Sequence, residues 1–133
     1  MKIQCEVSLG ELVDKITILK LKMKNISDEN KVKLATHEHN ILVNQLNELK
    51  LHGIDAHIEH LLHVNGELWV IEDDIRECES RQDFGQTFVD LARSVYMTND
   101  RRFELKNTIN LQYNSGIKEV KSYEDYKGKH NGN

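Results

Sequence analysis

Apolar residues recur at alternating steps of three and four along most of this chain, a rhythm that few architectures other than packed helices can satisfy. One stripe runs Phe84, Phe88, Leu91, Val95, Thr98, Arg102, Leu105 and Ile109; an earlier one runs Ile58, Leu61, Asn65, Leu68, Glu72 and Ile75. Each seam should face a core, yet each holds an ionisable residue and a second polar one. A charge in a helix interface costs on the order of several kcal/mol unless an opposite charge and further hydrogen bonds meet it. Glu72 and Arg102 are therefore expected to pair, with Asn65, Thr98 and Asn99 as supporting polar groups.

The 133 residues contain no proline, so long uninterrupted helices are permitted. A chain of this length makes one domain with room for a real core; here that domain is expected over residues 1–123, followed by a loose polar tail over 124–133. Aromatic residues make up 6% and charged residues 30% of the chain, which suits narrow buried faces flanked by wide solvated ones. A net charge of −4 argues against a general nucleic-acid or anionic-membrane binder. No apolar run approaches the roughly 20 residues that span a bilayer, and the start has no secretory pattern. Cys5 and Cys78 lie far apart with no C-x-x-C motif, as expected of reduced thiols in a cytoplasm.

The alternation of Ile3, Cys5 and Val7 reads as a short strand or extended lead-in. Ser8 and Glu11 then form a capping box, which starts a helix at Leu9. Its stripe is Leu9, Leu12, Ile16, Leu19, Met23 and Ile26. After a polar turn, Ser27 or Asp28 caps a second helix bearing Ala35, Leu42, Leu46 and Leu49, with Gly53 as its stop. Asp55 is expected to cap a third helix over 56–80, and Asp83 with Gln86 a fourth that continues to about Asn114. Ser115 and Gly116 end it, and 117–123 can be extended. Gly66, beside Asn65, raises the question of close helix approach. Short connections favour antiparallel neighbours, so the expected fold is all-α, an antiparallel four-helix bundle with coiled-coil-like seams. The same periodicity suits a monomer or a dimer exchanging long hairpins; a homo-oligomer is expected because narrow layers leave apolar flanks to cover.

Residues 8–19 (SLGELVDKITIL), 67–77 (ELWVIEDDIRE) and 96–102 (YMTNDRR), with 119–123 (EVKSY) near the end, occur together in order. They resemble a domain-of-unknown-function family, number 6165 in that series, of bacteria and their phages. The resemblance implies a small cytoplasmic helical protein with no assigned activity, and it supplies no catalytic residue.

As a site, Glu72, Asp73, Arg76, Asn99, Arg101 and Arg102, with Glu11, Asp14 and Lys15 from the first helix, could surround a small anionic ligand, since arginine offers a bidentate fork for carboxylate or phosphate. As a structural device, one buried Glu–Arg–Asn layer fixes helix register. Arg76 lies four residues after Glu72, the spacing of an ordinary surface bridge. Residues 71–77 also resemble the aspartate and arginine–glutamate segment of all-helical chorismate mutases, but those enzymes need an arginine on the first helix, and 9–26 contains none. Glu11 and Asp14 resemble half of the acidic motif of all-helical nucleotide pyrophosphohydrolases, yet Glu77 and Glu79 are spaced wrongly for the second half. His60 and His63 share a face with His57 near, without a completed zinc set. Trp69 is expected in the core. The tail cations Lys118, Lys121, Lys127, Lys129 and His130 are interrupted by acids and read as a solvated end. These readings favour an interaction or assembly module over an enzyme, with no cofactor or metal, a possible protein partner and neither membrane nor nucleic acid. The alternative is an anion-binding protein or a chorismate-mutase-like enzyme built on the Glu72/Arg102 cluster.

Overall fold

The computed structural model describes residues 1–126 and contains four helices: α1 (Leu9–Asn25), α2 (Glu29–Glu48), α3 (Ile54–Ser80) and α4 (Gln86–Gln112). Among the described residues there is no strand, so the lead-in 1–7 pairs with nothing and is exposed. The expected tail lies partly at 127–133, outside the described residues. Among the described residues no helix is long and apolar enough to cross a membrane.

The helices form a four-helix bundle in which α1 packs against all three others, whereas the backbone of α2 comes alongside α1 alone. Contacts between Asp14 and Arg102 and between Gly10 and Asn110 run α1 antiparallel to α4, while Asn65 bonding both Asp14 and Thr17 places α3 beside the same turns of α1. The apolar core is a cluster of Val13 and Ile16 from α1, Leu46 from α2, Leu61 from α3 and Ile109 from α4. Each such side chain, fully buried, contributes roughly 1.5–3 kcal/mol.

Helix ends follow local chemistry, with four departures from the sequence reading. Ser8 caps α1 as expected, its Oγ accepting from the Glu11 N–H at 3.1 Å. Ser8→Ala should cost about 1 kcal/mol, measurable by urea denaturation. Asp28 caps α2, its Oδ1 accepting from the Asn30 and Lys31 N–H groups. Gly53 does not stop α2. Lys50 takes the left-handed conformation there, and Gly53, also left-handed at φ 78°, stands as the N-cap of α3. Asp55 therefore sits inside the first turn and is not the cap. At α4 the capping box does not form: Asp83 accepts from the Gly85 N–H, Gly85 is the N-cap, and Gln86 turns its side chain to Asp90. The same helix stops at Gln112, earlier than expected, because Asn114 adopts a left-handed φ of 51° and the Ser115 N–H bonds the Asn110 carbonyl.

Candidate functional site: a closed polar seam between α1 and α4

The charged residue of the α4 stripe does have a carboxylate partner, but it is Asp14 rather than Glu72. The Arg102 guanidinium donates from Nε to Asp14 Oδ1 at 2.8 Å and from Nη2 to Asp14 Oδ2 at 2.6 Å, the two-point grip that arginine alone provides. Asp14 is only 1% exposed. Asn65 completes the layer from α3 by donating Nδ2 to Asp14 Oδ1 and to Thr17 Oγ1, both at 2.9 Å. Thr17 in turn donates to the Asp14 carbonyl, Thr98 is buried nearby on α4, and Asn99 accepts from Arg102 Nη1 at 3.4 Å. The bond to Asp14 holds the Arg102 pKa above its ordinary value, against the opposing pull of burial.

One turn further along α4 the pattern repeats. The Lys106 ammonium, almost wholly buried, meets Glu11 at 2.9 Å and Glu119 at 2.6 Å. Burial pulls its pKa down most strongly, but bonds to Glu119 and Glu11 together outweigh this and leave it raised. At the next turn Asn110 accepts the Gly10 N–H at 2.7 Å, and Ser115 Oγ accepts the Leu9 N–H at 3.2 Å. Together with Ser8, these groups take up the free N–H donors at the start of α1. Among the described residues, the amide nitrogen of Asn110 is buried without a partner. Gly10 makes the close approach possible: a Cβ there would stand 2.5 Å from the Lys106 carbonyl oxygen. The close packing therefore lies at Gly10 and not at Gly66, where a Cβ would meet only Leu21 at 3.9 Å.

A raised lysine pKa has a defined sign in folding. The contribution of Lys106 is full below the ordinary lysine value of roughly 10.4 and is lost as pH rises through the higher folded value. Wild type should therefore lose stability more steeply than Lys106→Met across that alkaline range. Urea denaturation of both proteins at neutral and alkaline pH checks the difference, since all other titrating groups are common to the pair.

Two cavities meet at Arg102. One, of about 500 Å³, lies between α4 and the C-terminal segment and is lined by Tyr96, Asn99, Phe103, Lys106, Val120 and Tyr123 among others. The second, of about 340 Å³, is lined from α1, α3 and α4, with Leu21, Leu68, Trp69, Glu72, Asp73 and Arg76. Trp69 thus borders this cavity, half-buried, and is not a core residue. Every cation lining either cavity is already paired: Arg102 with Asp14, Lys106 with Glu11 and Glu119, Lys121 with Asp100, and Arg76 with Glu72. An anion entering either space would meet cations whose charge a carboxylate already offsets.

Of the expected site residues, Glu11, Asp14, Asn99 and Arg102 come together in the seam. Glu72, Asp73 and Arg76 border the second cavity; Arg76 bridges Glu72 at 3.2 Å along α3, as its spacing allows. The remaining two lie elsewhere: Lys15 reaches Glu38 of α2 in solvent, and Arg101 pairs with Glu67 on the α3–α4 surface. Thr17, Lys106, Asn110 and Glu119 are seam members that the sequence reading did not single out. Among the described residues no three His, Cys, Asp or Glu side chains converge as metal ligands would; His57 bonds Gln112 and His63 bonds Glu67. Both cysteines are free, Cys5 exposed and Cys78 buried.

The molecule is thus a helical bundle held by a polar seam that satisfies its own charges. The chain belongs to DUF6165, a family of unknown function whose model matches residues 1–129. No curated protein and no solved structure matches it.

Proposed function

We propose that this protein is a cytoplasmic assembly module, homo-oligomeric or bound to another protein, that docks through the far end of its α3–α4 hairpin. The observation that carries the reading is apolar surface that the described residues leave uncovered. From the Asp14–Arg102–Asn65 layer, α1 has eleven residues left to Asn25, α3 fifteen to Ser80 and α4 sixteen back to Gln86. The hairpin therefore outreaches α1 by about four to five residues, roughly 6–7 Å at the helical rise. On that end Phe84 is 54% and Val89 43% exposed, and Phe84 stacks edge-on with Phe88 at 5.2 Å between ring centroids. Clusters of this kind mark contact surfaces more often than scattered apolar residues do.

The polar seam supports the same reading from the opposite side. Its charges are matched within the fold, so they act as a register device. A second reading, a small-ligand site, is favoured by the two cavities at Arg102 and opposed by the pairing of every cation that lines them.

If Phe84 and Val89 serve docking, replacing both with serine should leave the unfolding free energy of the dilute protein within about 0.5 kcal/mol of wild type. A loss above roughly 2 kcal/mol in chemical denaturation would mean that the fold itself uses them, and the docking reading would fail.

A further inference from the structure

The end of the bundle is stepped, and the two levels of the step carry opposite charge. The upper level is the projecting hairpin. Between positions 73 and 90 it carries Asp73, Asp74, Glu77, Glu79, Asp83 and Asp90 against two arginines, Arg76 and Arg81. All six carboxylates are exposed, and among the described residues none is in an ion pair. The lower level is the turn joining α1 to α2. There Lys20, Lys22, Lys24, Lys31 and Lys33 are exposed and, among the described residues, in no ion pair, with only Asp28 and Glu29 opposing them. Apolar groups accompany both levels: Phe84, Phe88 and Val89 above, and Met23, Ile26 and the 72% exposed Leu34 below.

We propose that the occupant of this end is a second copy of the chain, turned about a two-fold axis so that each acidic hairpin tip rests on the basic α1–α2 turn of its partner. The proposal rests on the docking reading above and names its partner. Two observations select a second copy. First, patches of opposite sign at one end of one molecule make that end complementary to itself, the condition for an isologous interface. Secondly, a step of one height fills a step of the same height, which brings Phe84, Phe88 and Val89 over the partner's apolar groups while every tip–turn contact joins unlike charges. Two tips meeting directly would instead oppose like charges, which is costly.

Charge reversal with complementation tests this on the full chain by sedimentation. Wild type should run at twice the 15.5 kDa chain mass, with the dimer weakening as salt rises. Lys22→Glu/Lys24→Glu/Lys31→Glu and Asp74→Lys/Glu77→Lys/Glu79→Lys should each run as monomers that keep helical circular dichroism. An equimolar mixture should return to the dimer mass, because both tip–turn contacts then join opposite signs again. A monomeric wild type, reversed variants that still dimerise alone, or a mixture that stays monomeric would each overturn the arrangement. A wild-type dimer without complementation removes the tip-on-turn geometry and leaves assembly standing. Unfolding caused by the serine replacements at Phe84 and Val89 removes the docking reading itself.

Discussion

Arg102→Ala is expected to destabilise the fold by about 3 kcal/mol, the lower end of what breaking a buried ion pair costs. The loss comes from Asp14 more than from the arginine. With Arg102 truncated, the Asp14 carboxylate, 1% exposed in the intact fold, loses both guanidinium bonds and keeps Asn65 as its side-chain donor. Arg102 lies nearer the surface, its side chain 26% exposed, so Asp14→Ala should cost less, the guanidinium being free to turn toward solvent. Arg102→Met combined with Asp14→Leu removes both charges and should recover much of the stability. Glu72→Ala should change little, because its bridge to Arg76 lies along the half-exposed side of α3 and such pairs contribute a few tenths of a kcal/mol. A double-mutant cycle should therefore show strong coupling between positions 14 and 102 and almost none between 72 and 102.

Gly10→Ala has the second large expected effect, and its sign is diagnostic. On helix propensity alone the change should stabilise by up to about 1 kcal/mol. Packing opposes this: the new methyl would stand 2.5 Å from the Lys106 carbonyl oxygen and 3.0 Å from Asn110 Oδ1. Both neighbours are fixed, one by the α4 backbone and the other by its bond to the Gly10 N–H. The start of α1 must therefore lift from α4, at a net cost of about 2 kcal/mol. Denaturation midpoints of wild type and Gly10→Ala decide between the two signs.

The stripes made most of the helices legible. Ser8 and Asp28 gave two helix starts because their side chains cap by local hydrogen bonds alone. The later boundaries were less legible, since Lys50 and Asn114 adopt left-handed backbone where glycine was the expected residue, a choice set by the surrounding chain. Arg102 stood out because it interrupts an apolar stripe. Asp14 stood among the site candidates but not as the partner of Arg102, because α1 was read as having one face. A central helix touched on three sides needs more than one, and Gly10, Asp14, Thr17 and Leu21 form a second stripe at steps of four, three and four. That stripe is mostly polar or small, so hydrophobic periodicity passes over it. Lys106 and Asn110 continue the same seam on α4 at four-residue steps from Arg102, and a lysine or asparagine on a helix reads as solvated until an opposing carboxylate or backbone N–H is placed beside it. Glu119 comes from outside the helices, where no periodic signal exists.

The central claim is that the charges around Arg102 hold the helices in register and are not a ligand site. A thermal-shift panel of inorganic phosphate, nucleotides, sugar phosphates and dicarboxylates, run on wild type and Arg102→Met, tests it most directly. A ligand that binds only the native state at 100-fold excess over its Kd adds about 2.7 kcal/mol, which raises the melting temperature by several degrees in a domain of this size. The expected result is an unmoved wild-type melting temperature across the panel, because each cation at the cavities already holds a carboxylate. A compound that raises it in wild type and leaves Arg102→Met unmoved would contradict the claim and make the cavities at Arg102 a binding site.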